Sequence, residues 1–179
     1  GILQDKLYIE QLNEAISLSE KTEIGKYAPF FSLPNIKGEK ITRSSEDFKK
    51  KNLLINFWAS WGDSISNHQS NTELKEIYQK YKKNKHIAML GISLDMDKQE
   101  WQDAIKRDTL NWEQVCDFGG LNSEVAKQYA IKQVPNNILL SADGKILAKN
   151  LKGEQLKKKI EEVVTAAEEK EKQDNKKKK

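Results

Sequence analysis

Apolar residues along this chain fall into stripes and runs of different period, and the periods assign the elements. Residues 2 to 19 place Leu3, Leu7, Leu12, Ala15 and Ile16 mostly three to five apart among Glu, Gln, Lys and Asn, the spacing of an amphipathic helix. Such a stripe has to lean on something, either the rest of the chain or a partner segment. At Gly25 the texture changes. The segment G-K-Y-A-P-F-F-S-L-P-N-I-K-G-E-K-I holds two prolines and a turn at Lys37-Gly38, and predicts extended chain with a hairpin. Leu53 to Ala59, L-L-I-N-F-W-A, is apolar except for one Asn and predicts a strand buried on both faces. Leu74, Ile77, Tyr78 and Tyr81 then share one face of a helix whose other face carries lysines. Ile87 to Leu94, I-A-M-L-G-I-S-L, is a second buried strand. Strand, helix, strand at this spacing is a βαβ unit with a right-handed crossover.

Residues 97 to 108 predict a helix carrying Trp101 and Ile105, followed by a short strand, W-E-Q-V-C-D. Ser123 is placed to cap a further helix with Val125, Ala126 and Tyr129 on its inner side. N-I-L-L and K-I-L-A flank S-A-D-G, where Asp143-Gly144 is a strong hairpin signal. A last helix begins near Gly153 and carries Leu156, Ile160, Val163 and Val164. Apolar residues stop after Ala167, so 168 to 179 are expected to form a charged, disordered tail. The expected organisation is a helical linker over 1–24, a folded domain over 25–167 and that tail.

Composition narrows this picture. A chain of 179 residues, 37% hydrophobic with four Trp, five Tyr and five Phe, is enough for one packed domain. The net charge of +4 would hint at nucleic acid, but Lys176 to Lys179 supply four positive charges on a body otherwise near neutral. A basic end of this kind is a solubilising tail, and no nucleic-acid partner is expected. No apolar run approaches the ~18 residues that a membrane-spanning helix needs. The chain opens on Gly1 and not Met, which is the expectation for a piece processed or excised from a longer product.

Four local texts, in order, carry a resemblance. They are Gly25 to Pro34 (G-K-Y-A-P-F-F-S-L-P), Asn56 to Trp61 (N-F-W-A-S-W), Gly91 to Asp95 (G-I-S-L-D) and Val134 to Gly144 (V-P-N-N-I-L-L-S-A-D-G). On these the chain resembles the thioredoxin-like superfamily, nearest to the cell-envelope thiol-disulfide oxidoreductases that share features with peroxiredoxins. The resemblance implies an α/β thioredoxin-like fold: a central mixed β-sheet flanked by helices, with an N-terminal helical extension. It also implies a bacterial periplasmic or cell-envelope location, in a Gram-negative organism. Pro135 matches the cis proline that faces the reactive cysteines in this superfamily, and Val134 the residue whose backbone meets a bound peptide; the alternative is that Pro135 only shapes the entry to a strand. Asn136 stands where the family usually has Thr.

The departure comes where the family is most specific. Its reactive pattern is W-C-x-x-C, and Trp61 matches the tryptophan. Gly62 then occupies the first cysteine position, and Ile65, or Ser66 if one residue is inserted, the second. The one cysteine of the chain is Cys116. A thiolate at a helix N-terminus, favoured by free N–H groups and the helix dipole, starts dithiol exchange, and a second cysteine resolves the mixed disulfide. Gly62 offers no nucleophile, and the hydroxyls of Ser64 and Ser66 are far too weakly acidic to replace one. No catalytic residue, cofactor or metal is therefore expected.

Other candidates are weaker. Cys116, with no Lys, Arg or His beside it in sequence, reads as a small core residue before it reads as a reactive thiol. Asp63, Ser64 and His68 suggest a hydrolase triad, yet Asp or Ser here is a natural helix cap, and Ser66 with Gln69 fits a capping box. His68 and His86 lack two further convergent ligands for zinc; Asp95 and Asp97 follow a strand end, where a carboxylate caps the next helix, and lack the glycine and ligand pattern of a calcium loop. The expectation is a redox-inactive module that binds a peptide or protein segment through Trp61, Asp63, Ser64, Val134 and Pro135, in a groove between Trp61–Ile65 and Val134–Pro135. Two alternatives stand beside it: an oxidoreductase or antioxidant-type enzyme acting through Cys116 or an external thiol, and a structural accessory domain held against an upstream domain of the same polypeptide.

Overall fold

The computed structural model describes residues 2–61 and 64–177. Its centre is the apolar run at residues 52 to 58. All seven residues of β3 (Asn52–Trp58) are buried because both faces of this strand are covered. Leu53, Ile55 and Phe57 face one core cluster, with Phe31, Leu33, Tyr129 and Ile131. Leu54 and Trp58 face the other, with Leu74, Ile77, Trp101, Leu156 and Ile160. This is the period of two that a strand imposes on its side chains.

β3 pairs in parallel with β4 (Ile87–Ser93), and β4 pairs in parallel with β5 (Glu113–Cys116). On the other side β3 pairs antiparallel with β6 (Asn136–Leu140), and β6 antiparallel with β7 (Ile146–Lys149). The mixed sheet has the order β5-β4-β3-β6-β7, beside a two-stranded sheet of β1 (Ser32–Pro34) and β2 (Lys40–Thr42). Five helices complete the chain: α1 (Ile2–Lys21), α2 (Ser64–Tyr81), α3 (Lys98–Arg107), α4 (Glu124–Gln128) and α5 (Gly153–Lys177). The expected thioredoxin-like arrangement is observed. The β6–β7 turn has Gly144 at φ +94°, a left-handed conformation that explains the Asp-Gly pair.

Both sheet edges are partly covered. Gly25 and Ala28 donate to the carbonyls of Ile146 and Gly144 at 2.8 and 2.9 Å, and Ile146 donates to Lys26 at 2.9 Å. At the other edge Asn35 bridges to Val115. Covered edges discourage strand addition by other chains.

Two elements differ from expectation. α5 runs through residues 168 to 177, where the sequence suggests a disordered tail. Glu168 accepts a bond from Asn84 at 3.2 Å, and Glu171 lies 2.6 Å from Lys85 Nζ and 3.2 Å from His86 Nε2. Polar links to the α2–β4 connection replace the missing apolar face. α1 is helical as expected, but Leu7, Tyr8, Ile9, Leu12 and Ile16 remain about half exposed or more. No described helix is long and apolar enough to cross a membrane.

Candidate functional site

The register brings three parallel strands out at one level. Trp58 pairs with Ser93, and Ser93 with Cys116. The segments beyond them are tied together by Asp95, which is fully buried. Its carboxylate accepts from the Ser60 N–H at 3.0 and 3.2 Å, from Ser60 Oγ at 2.6 Å and from Ser93 Oγ at 2.6 Å. Charge-assisted bonds of this kind offset the cost of burying a carboxylate. Asp97 caps α3 by accepting from the Glu100 N–H at 2.9 Å. The sequence suggests capping for both aspartates; Asp95 instead anchors the β3 exit.

That anchored exit presents Trp61, 52% exposed, whereas Trp58, Trp101 and Trp112 are buried. α2 begins at Ser64. Gly62 and Asp63 lie outside the described residues, as do the side chains of Ser64, Ile65 and His68.

Pro135 precedes β6 and, because Asn136 pairs with Phe57, stands level with the end of β3. The Val134–Pro135 peptide bond is cis. A cleft of about 580 Å³ opens at Pro135, lined among others by Gln69, Glu73, Asn137, Leu151 and Lys157. Its far wall is therefore the middle of α2 and the start of α5, further along α2 than the expected groove. Trp61 and Val134 do not line it; Val134 packs against the core cluster of the opposite sheet face. Asn137 shapes the floor by donating to the Leu151 carbonyl at 2.8 Å and accepting from its N–H at 3.2 Å. Lys157 Nζ and Glu76 Oε2, 2.8 Å apart, link the two helices. The buried Glu73 Oε1 has no hydrogen-bond partner among the described residues.

Cys116 lies fully buried on β5. Its thiol donates to the Asp95 carbonyl at 3.5 Å and accepts from the Phe118 N–H at 3.3 Å. Burial pushes the thiol up to about 11. At neutral pH it is protonated and shielded, the opposite of a reactive thiolate. Among the described residues no group of three or more His, Cys, Asp or Glu is placed to hold a metal ion. His86 points to Glu171.

Residues 50–146, more than half of the chain, match the thioredoxin-like family. The chain belongs to that family. It is 33% identical over 146 residues to the thiol-disulfide oxidoreductase ResA of Bacillus cereus, covering 82% of this chain and 79% of the relative. Among solved structures, the C-terminal domain of a proposed thiol-disulfide oxidoreductase from Bacteroides thetaiotaomicron superposes with a TM-score of 0.80 at 79% identity, over 82% of this chain and 99% of that one. A thiol-disulfide oxidoreductase from Bacteroides fragilis gives 0.75 at 59% identity, over 77% and 99%. Within this family the chain has lost the dithiol: its one cysteine is Cys116, and no C-x-x-C is present.

Proposed function

We propose that this thioredoxin-like chain is a redox-inactive binding module, holding a peptide or protein segment at the end of the sheet where Trp61 and Pro135 emerge. The observation that carries the reading is a cleft of about 580 Å³ kept open beside Pro135 at a strand exit whose sequence has no thiol. Exposed Trp61 and half-buried Pro135 supply apolar contact, and Asn137, Glu73 and Lys157 supply polar groups that can orient a backbone. Asp63, Ser64 and the backbone of Val134 complete the proposed contact set. The resemblance to cell-envelope members supports a periplasmic or envelope location for the module, in a Gram-negative bacterium.

The test is insulin reduction under dithiothreitol, run with the unaltered chain and with Cys116→Ser. Neither should accelerate precipitation above dithiothreitol alone. Turnover in the unaltered chain that disappears in Cys116→Ser would replace this reading with an enzyme working through Cys116.

A second reading has its own observation. The exposed apolar side chains of α1 suit packing against an upstream domain, and one similar solved structure is described as a C-terminal domain. Co-purification of this chain with such a domain, lost when Leu12 and Ile16 become Ser, would support an accessory role.

A further inference from the structure

The exits of β3, β4 and β5 carry an apolar patch outside the Pro135 cleft. Met96 is 74% exposed, Trp61 52% and Leu121 42%. Short links tie the segments that carry them: the Ser60 N–H donates to the Asp95 carboxylate, and Met96 lies over Gly120, where a Cβ would come within 3.2 Å of its Cγ. An exposed methionine beside a tryptophan and a leucine is an adaptable apolar contact surface.

Charge selects the partner. Residues 95–100 and 117–124 hold five acidic residues, Asp95, Asp97, Glu100, Asp117 and Glu124, against one cation, Lys98. All but Asp95 are exposed. The opposite ends of β3 and β4 are entered from Lys49–Lys51 and from Lys82, Lys83 and Lys85. The segments that leave β4 and β5 are thus net acidic in a chain of net charge +4. Opposite charge around an apolar centre raises encounter rates and rejects acidic partners.

We infer that the patch of Trp61, Met96 and Leu121, with its acidic rim, docks a basic segment of a partner protein through apolar anchors flanked by Lys or Arg. This rests on the reading of the strand exits as the binding end, and adds the chemistry of the partner and the contribution of Met96 and Leu121. The segment lays its anchors on the patch while its cations meet Asp97, Asp117 and Glu124.

The probe is a short synthetic peptide of Lys with Leu and Phe anchors, compared with a twin carrying Glu for Lys. Because Trp61 is the exposed tryptophan, acrylamide quenching of indole emission reports its protection directly. The Lys peptide should protect Trp61, with an affinity that falls as salt rises. Asp117→Asn with Glu124→Gln should weaken it roughly three- to tenfold, as expected for two exposed charge pairs. Met96→Ser with Leu121→Ser, both at the surface, should weaken it at least as much while the circular dichroism stays unchanged. Equal protection by the Glu twin, or indifference to both double variants, overturns the inference but leaves a binding end. Concentration-dependent self-association that shields Trp61 without peptide also overturns it, in favour of a second copy. Failure of both peptides to protect Trp61 or to perturb the Pro135 cleft in an NMR titration removes the inference and the binding reading together.

Discussion

Cys116 shows how little a residue's identity says until its surroundings are known. Sequence suggests a core thiol only from the lack of neighbouring cations; the structure adds full burial and a pKa raised to about 11 by desolvation. A raised acid pKa stabilises the fold while the thiol stays protonated. That contribution is complete at neutral pH and is lost as pH climbs from the unfolded value near 9 through about 11. Tyr129, also buried and raised by desolvation, adds alkaline loss of the same sign. The expected result is an urea midpoint that falls between pH 9 and 11, with Cys116→Ser removing a part worth at most about 2–3 kcal/mol. Ellman's reagent should react with the native chain only at the rate of unfolding, and at once in denaturant. Rapid native modification would contradict the burial. Other decisive residues gave no local signal. Arg43 donates to the carbonyls of Phe48, Lys51, Ser141 and Ala142, a bond set closed by residues about a hundred positions apart. Asp95 looks like a cap in sequence, and only the pairing of β3 with β4 puts it beside Ser60.

At the scale of elements, legibility follows the strength of the apolar period. β3 and β4 are mostly apolar runs, and both appear where expected. Ser123 caps α4 by accepting from the Ala126 N–H at 3.1 Å, as its position before Val125 and Ala126 suggests. α5 beyond Ala167 has no apolar period, and its helix rests on polar links that sequence separation hides. Those links titrate. Lys85, with His86 beside it, holds the Glu171 carboxyl below its usual range, so the contribution is present above the unfolded pKa and lost as pH falls through the lower, folded one. Exposed pairs of this kind are individually weak and screened by salt. Deleting residues 168–179 should therefore cut the helical signal while moving the thermal midpoint by only a few degrees. In the intact chain, amide protection across 168–177, measured relative to intrinsic exchange at the same pH, should fall in acid or in high salt ahead of the core strands. A large drop of the midpoint on truncation would show the extension to be integral to the fold.

For the whole molecule, four short texts in the right order were enough to expect the fold, because each belongs to a strand or strand exit that the sheet brings together. The cleft was less legible: Pro135 marks one wall, but the other wall comes from α2 and α5, whose approach depends on the packing of Leu74, Ile77, Leu156 and Ile160 across the sheet. If only sulfur has been lost, restoring it should restore chemistry. Gly62→Cys combined with Ile65→Cys, or with Ser66→Cys in the alternative register, places a thiol just ahead of α2, which starts at Ser64. Free N–H groups and the helix dipole there should lower its pKa below the ordinary ~8.5. Iodoacetamide alkylation against pH would measure that shift, and one of the two double variants should reduce insulin catalytically where the unaltered chain does not. A pair that forms its disulfide, titrates with a lowered pKa and still gives no turnover would mean that the surrounding surface has diverged as well. The specialisation for binding would then lie in the contacts around Trp61 and Pro135 as well as in the vacant thiol positions.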